Sequence, residues 1–164
     1  MSRALALLLV VTLLAACGFR PLYGGREGAA TAAALSQIHV APIEERVGQE
    51  LRNALIDGLA PEGQAHEMRY RLSIDIDTQR QRLLIQFDDT ATRFNLFMTA
   101  SFVLTEVATG VSIYSDSVRL KGSYNVVPSD FATLAAEQDA KKRVAREASE
   151  EIRTLLAIFF AQAG

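Results

Sequence analysis

"MRYRLSIDID", Met68 to Asp77, alternates without a break: Met68, Tyr70, Leu72, Ile74 and Ile76 fall on one side, and Arg69, Arg71, Ser73, Asp75 and Asp77 on the other. Successive side chains of an extended chain point to opposite faces, so this is a strand with one face on a core and the other in water. Such a sheet needs a second layer over its apolar face. The flanking sequence supplies one.

Upstream, "LSQIHVAPI" carries β-branched and apolar residues as far as Pro42, which predicts a strand that cannot run on as a central one past the proline. Between the two strands, Val47, Leu51, Leu55 and Leu59 recur every four residues and line one face of a helix, closed by Gly58, Pro61 and Gly63. Downstream, "RFNLFMTASFVL" alternates again through Phe94, Leu96, Met98, Ala100, Phe102 and Leu104. Ala108-Thr109-Gly110 then breaks the pattern, as a glycine-containing hairpin turn would. The fourth strand changes phase, because Tyr114, Val118 and Leu120 do not continue from Val111 and Ile113. That predicts a bulge or a local twist.

Ser129 or Asp130 can cap a last helix from Phe131 to Phe160, with Val144, Ala148, Ile152, Leu155 and Phe159 as its apolar stripe. A helix of that length reaches about 45 Å, long enough for a kink. The order is strand, helix, three meandering strands, helix. Two helices on one face of a four-stranded sheet make a two-layer α+β sandwich, expected over residues 35–164.

Composition fits one ordinary domain: the chain has 164 residues, 49% hydrophobic and 22% charged. A formal net charge of -2 argues against a nucleic-acid binder, which would carry a basic excess. With a single cysteine no internal disulfide can form, and two histidines leave little for a zinc site. No metal or cofactor is expected.

The N-terminus reads as an export signal over residues 1–16. A short basic start, Met1 to Arg3, precedes an apolar run of about eleven residues from Ala4 to Leu14, and Ala15 and Ala16 are small residues suited to cleavage. The run is too short for a membrane-spanning helix, and Arg20 with Pro21 stops any extension. Leu14-Ala15-Ala16-Cys17 resembles a bacterial lipobox, in which a diacylglycerol is attached to the cysteine thiol and an acyl chain to the new amino terminus. The resemblance makes Cys17 the first mature residue. Each buried methylene adds about 0.8 kcal/mol, so several chains on Cys17 would anchor the protein stably where one would not. Gly18 in place of an Asp favours the outer membrane. Residues 17–34, with Gly24, Gly25, Gly28 and a run of alanines, are expected to form a tether, although the alanines could also form a helical turn.

No catalytic constellation emerges. His39 falls in the first strand and His66 in a polar loop, and there is neither a G-x-S-x-G nucleophile nor a phosphate-cradling glycine motif. Asp88-Asp89 and Glu150-Glu151 are sequence neighbours whose side chains point apart. The chain is not read as an enzyme.

Taken together, "CGFRPLYG", "RYRLSIDI", "ASFVLTEVATG", "YNVVPSDFATLAAEQDAKKRVAREASEEI" and "IRTLLAIFF" resemble, in order and spacing, the alphaproteobacterial form of the LPS-assembly lipoprotein family, LptE or RlpB. The likeness runs from Cys17 to Phe160. It implies a non-enzymatic, outer-membrane lipoprotein that plugs and helps assemble the β-barrel protein LptD, forming the translocon that delivers lipopolysaccharide to the outer leaflet. It also implies a mixed sheet. On that view an arginine group would suit the phosphates and carboxylates of lipopolysaccharide. Candidates are Arg69, Arg71, Arg80, Arg82 and Arg93 around the second strand, with Arg119 and Lys121 as a second group. The ordinary polar side of a sheet, offset by Asp75, Asp77, Asp88 and Asp89, accounts for the same residues. A lipoprotein activator or transport-auxiliary subunit of another envelope complex is the alternative reading.

Overall fold

The computed structural model describes residues 25–61, 63, 67–83 and 93–163. In chain order the elements are α1 (Gly25–Ser36), β1 (Ile38–Val40), α2 (Glu45–Leu59), β2 (Tyr70–Leu83), β3 (Arg93–Glu106), β4 (Ser112–Asn125) and α3 (Asp130–Ala163). The strands lie in the order β1-β2-β3-β4, with β1 parallel to β2 and the other neighbours antiparallel. This is the expected α+β architecture with a mixed sheet, and the described residues add one helix to it.

The alternating side chains behave as the sequence requires. Tyr70 and Leu72 of β2, together with Leu96, Met98, Ala100, Phe102 and Leu104 of β3, are buried against the helices. Leu51 and Leu55 of α2 are wholly buried, and Val47 and Leu59 nearly so. Met68 lies outside β2 and is 57% exposed, so the buried stripe starts two residues later than its parity suggested. Strand β1 is only three residues long and stops before Pro42, an edge position where a missing amide donor is tolerated.

The phase change in β4 is a bulge. Thr105 pairs with Ser112 but Leu104 pairs with Tyr114, so Ile113 is the extra residue and Tyr114 recovers the core-facing parity. Gly110 closes the hairpin at φ 69, a left-handed conformation that glycine adopts without steric cost. Its amide donates to the Glu106 carbonyl at 2.8 Å.

Ser129 caps α3, its hydroxyl accepting from the Ala132 amide at 3.4 Å. The helix runs 34 residues, about 51 Å at 1.5 Å per residue. Val144, Ala148 and Ile152 of its expected stripe are buried, and Leu156 joins them, while Leu155 and Phe159 are partly buried. At Gly122 on β4 the helix comes so close that an added Cβ would lie 2.6 Å from Val144 Cγ2. Glycine there sets the spacing of the two layers.

Helix α1 overlaps the stretch expected as a tether. Residues 25–34 are helical, and Thr31 and Leu35 are buried, which gives α1 a packed face. Alanine is the strongest helix former, and an Ala-rich segment needs only a few packed side chains to be held. Cys17, the lipobox and residues 1–24 lie outside the described residues, as do His66, Asp88 and Asp89.

Candidate functional site

With the helices on one side, the other face of the sheet has no helix over it among the described residues. Its rows follow from the register. Arg71 lies opposite Thr105, Asp75 opposite Ser101, Asp77 opposite Thr99 and Gln79 opposite Phe97. Continuing across, Thr99 meets Arg119, Phe97 meets Lys121 and Asn95 meets Ser123. Apart from Val103 and Leu83, both 38% exposed, and Phe97, the outer face is therefore polar, acidic along β2 and basic along β4.

Phe97 is the one large aromatic of that face among the described residues. The Arg119 guanidinium sits 5.7 Å and the Lys121 ammonium 5.8 Å from its ring centroid. Both cations lie within the range where a ring's negative face attracts them, so the ring holds their charges over the sheet. Arg93 extends the strip, its Nη2 donating to Ser123 Oγ at 2.6 Å. From Arg119 to Asn125 the strip is about 20 Å long at ~3.3 Å per residue. Among the described residues neither Arg119 nor Lys121 has a carboxylate partner. Asp77 is two strands away, about 10 Å at the usual strand spacing, which is beyond the Debye length of about 8 Å at physiological salt. The acidic column therefore leaves the basic one largely unneutralised.

The remaining candidates divide between two other places. Arg80 and Arg82 have the parity of the core face and do not join Arg71 and Arg93, because β2 continues in the same phase to Leu83. Arg82 lies 5.6 Å from the Phe94 ring centroid. Arg80 donates to Glu137 on α3 at 3.3 Å, where Lys141 Nζ at 2.8 Å and the Tyr124 hydroxyl at 3.3 Å also converge. Partial burial pushes the Glu137 carboxyl up, but Lys141, Arg80 and Tyr124 outweigh it and hold the group below its ordinary value. Burial first, and Glu137 second, push the Tyr124 hydroxyl up. This cluster ties the far end of the sheet to the long helix. Arg69 is at the opposite end, paired with Glu106 at 3.5 Å and 5.3 Å from the Tyr70 ring centroid. Arg71 is exposed on the outer face, away from the strip.

Among the seven candidates the structure brings together Arg93, Arg119 and Lys121. Phe97, around which two of them gather, was not singled out from the sequence; the available signal was an aromatic at an outward position of an otherwise polar face. His39 lies in β1 opposite Arg71. Among the described residues no group of His, Cys, Asp and Glu side chains is placed to hold a metal ion, and no helix is long and apolar enough to cross a membrane.

Known proteins give the fold its context. Residues 35–156 match the family model LptE, described as lipopolysaccharide-assembly. Among solved structures, a Caulobacter crescentus CB15 protein described as a lipoprotein is similar with 27% identity and a TM-score of 0.68, over 81% of this chain and 97% of that one. A minor lipoprotein from Acinetobacter baumannii shares 18% identity at a TM-score of 0.57, over 74% of this chain and 91% of that one. Rare lipoprotein B from Shewanella oneidensis shares 11% at a TM-score of 0.57, over 77% and 96%. No curated protein sequence matches. The family match covers most of the chain, spanning α2, the whole sheet and most of α3, and so this protein belongs to the LptE family of lipopolysaccharide-assembly proteins.

Proposed function

We propose that this chain is a non-enzymatic outer-membrane lipoprotein, anchored through acylated Cys17, that sits in the lumen of the LptD β-barrel and helps it assemble and deliver lipopolysaccharide. The family match over residues 35–156 carries this reading. The polar outer face supports it, since the interior of a large barrel is wet and polar. The Arg93, Arg119 and Lys121 strip supports a direct contact with lipopolysaccharide. It offers guanidinium forks and an ammonium without competing carboxylates, the donors that phosphate groups require. Arg80 is less suited, because it is committed to Glu137.

Depleting the protein from its host tests the role. The expected result is loss of newly made lipopolysaccharide from the cell surface together with a fall in correctly folded barrel. Unchanged surface lipopolysaccharide, with a defect confined to cell-wall synthesis or an inner-membrane transporter, would instead support the activator or auxiliary-subunit reading.

A further inference from the structure

The two ends of the sheet lie at different distances from the chain that enters the domain. Gln37, directly after α1, sits at the end that carries the β3–β4 hairpin. Its carbonyl accepts from the Arg69 and Tyr70 amides at 3.1 and 3.2 Å, and the Arg69 carbonyl accepts from the Val107 amide at 2.9 Å. Helix α1 has 12 residues, about 18 Å at 1.5 Å per residue, so Gly25 lies within about that distance of the hairpin end whichever way α1 points. The far end, at Leu83, is about 45 Å away along the 14 residues of β2. Gly25 is therefore closer to the hairpin end. From Gly25 back to Cys17 the chain spans at most about 28 Å, which reaches the hairpin end with slack and the far end only at full stretch.

The hairpin end is apolar at its surface. Met68, ahead of β2, and Val107 and Val111, on either side of the turn, are 57%, 49% and 56% exposed. Backbone bonds gather the three onto one tip: the Val107 amide bonds Arg69, the neighbour of Met68, and the Glu106 amide donates to the Val111 carbonyl at 2.9 Å. The tip can also leave water at little cost. Its Val107 and Gly110 amides donate to the Arg69 and Glu106 carbonyls, and the Val111 amide donates to Thr109 Oγ1 at 3.3 Å. Arg69 pairs with Glu106 at 3.5 Å, so among the described residues there is no cationic excess to draw the tip to an anionic surface. Phe131 and Leu134 are exposed too, but at the start of α3, beside the far end of the sheet.

We propose that Met68, Val107 and Val111 form a tip that rests in the headgroup–acyl boundary of the phospholipid leaflet holding the acylated Cys17, standing the domain on the membrane with its far end pointing away. The inference rests on the Cys17 anchor of the reading above. Three side chains are too few to hold a domain to a bilayer by themselves. The anchor makes their contact effectively intramolecular, so a weak insertion suffices. This is the arrangement of the anchored lipoprotein before it meets the barrel. It leaves the polar outer face and the strip free, since from Arg119 onward the strip runs toward the far end. On entering a barrel in the same membrane, the hairpin end stays at the mouth, because the acyl chains remain in the surrounding leaflet.

The test uses the full-length acylated lipoprotein in vesicles of phosphatidylethanolamine and phosphatidylcholine whose acyl chains carry bromine, a contact quencher of fluorescence. Acylation occupies the thiol of Cys17, the one native cysteine, so Val107→Cys, Val111→Cys and Phe131→Cys each take a thiol-reactive fluorophore at a single site. Apolar faces at this boundary lie about 5–10 Å deep, so the labels at Val107 and Val111 are expected to be quenched roughly twofold or more over the label at Phe131. About 1 M salt should leave that difference unchanged, since it screens charge and not apolar contact. Adding Val111→Asp to labelled Val107→Cys is expected to abolish most of the quenching. Both positions are exposed, so the fold survives, as circular dichroism checks. Quenching that is absent, equal at the two ends, greater at Phe131 or lost in salt overturns the proposal. An unacylated Cys17 in the intact mass of the same preparation overturns the anchor together with this contact, whereas acylated protein with unquenched labels overturns this contact alone.

Discussion

Glu137 gathers a lysine, an arginine and a tyrosine around one carboxylate that is 14% exposed. Its folded-state pKa lies below the ordinary 4.5, so the charged form is favoured by folding. The stability it contributes is therefore present above about pH 4.5 and is lost as pH falls through the lower folded value. Glu137→Gln is expected to cost about 1 to 2 kcal/mol at pH 7, little of it from the exposed Arg80, and the gap from wild type should close in acid. Denaturant melts at neutral pH and near pH 3 check this. Arg119 and Lys121 present the opposite case, being exposed and free of ion pairs among the described residues. Replacing both with alanine should leave stability within about 0.5 kcal/mol while weakening lipopolysaccharide binding by roughly tenfold or more. Equal loss on replacing Arg69 and Arg71, measured on the same purified protein, would remove the special standing of the strip.

Layer spacing belongs to the elements. Gly122→Ala places a methyl group against Val144 Cγ2 and is expected to cost about 1 to 3 kcal/mol, much of it recovered in Gly122→Ala with Val144→Ala. Leu55→Ala, in the wholly buried face of α2, should cost about 2 to 5 kcal/mol in the same unfolding assay. Periodicity made that face legible in the sequence, as it did Tyr70 to Ile76 and the phase slip at Ile113, because burial leaves a repeating apolar signature. The end of β2 left none. Thr78 to Arg82 is wholly polar, so neither its strand conformation nor the core-facing parity of Arg80 and Arg82 could be read before the register with β3 was known. Grouping of Arg93 with Arg119 and Lys121 depended on the pairing of β3 with β4, which joins residues far apart in the chain. Helix α1 was obscured for another reason: few large side chains are needed to hold an alanine-rich helix, so its amphipathic signal is faint.

For the molecule as a whole, the sheet has one face committed to the helices and one left polar, with an acidic and a basic side. Both features suit a wet enclosure lined by another protein. The family supplies the biological setting, and Cys17 would supply the anchor. Cys17→Ala should move the protein from the membrane to the soluble periplasmic fraction while leaving its fold intact, as fractionation and circular dichroism would register. The central claim, that this lipoprotein works inside an LPS-assembly barrel, is tested most directly by affinity purification of the tagged wild-type protein from detergent-solubilised outer membrane, with partners identified and quantified by mass spectrometry. Recovery of a large β-barrel in near-equal amount, reduced for Cys17→Ala, is the predicted result. Recovery of only inner-membrane or cell-wall proteins would contradict it.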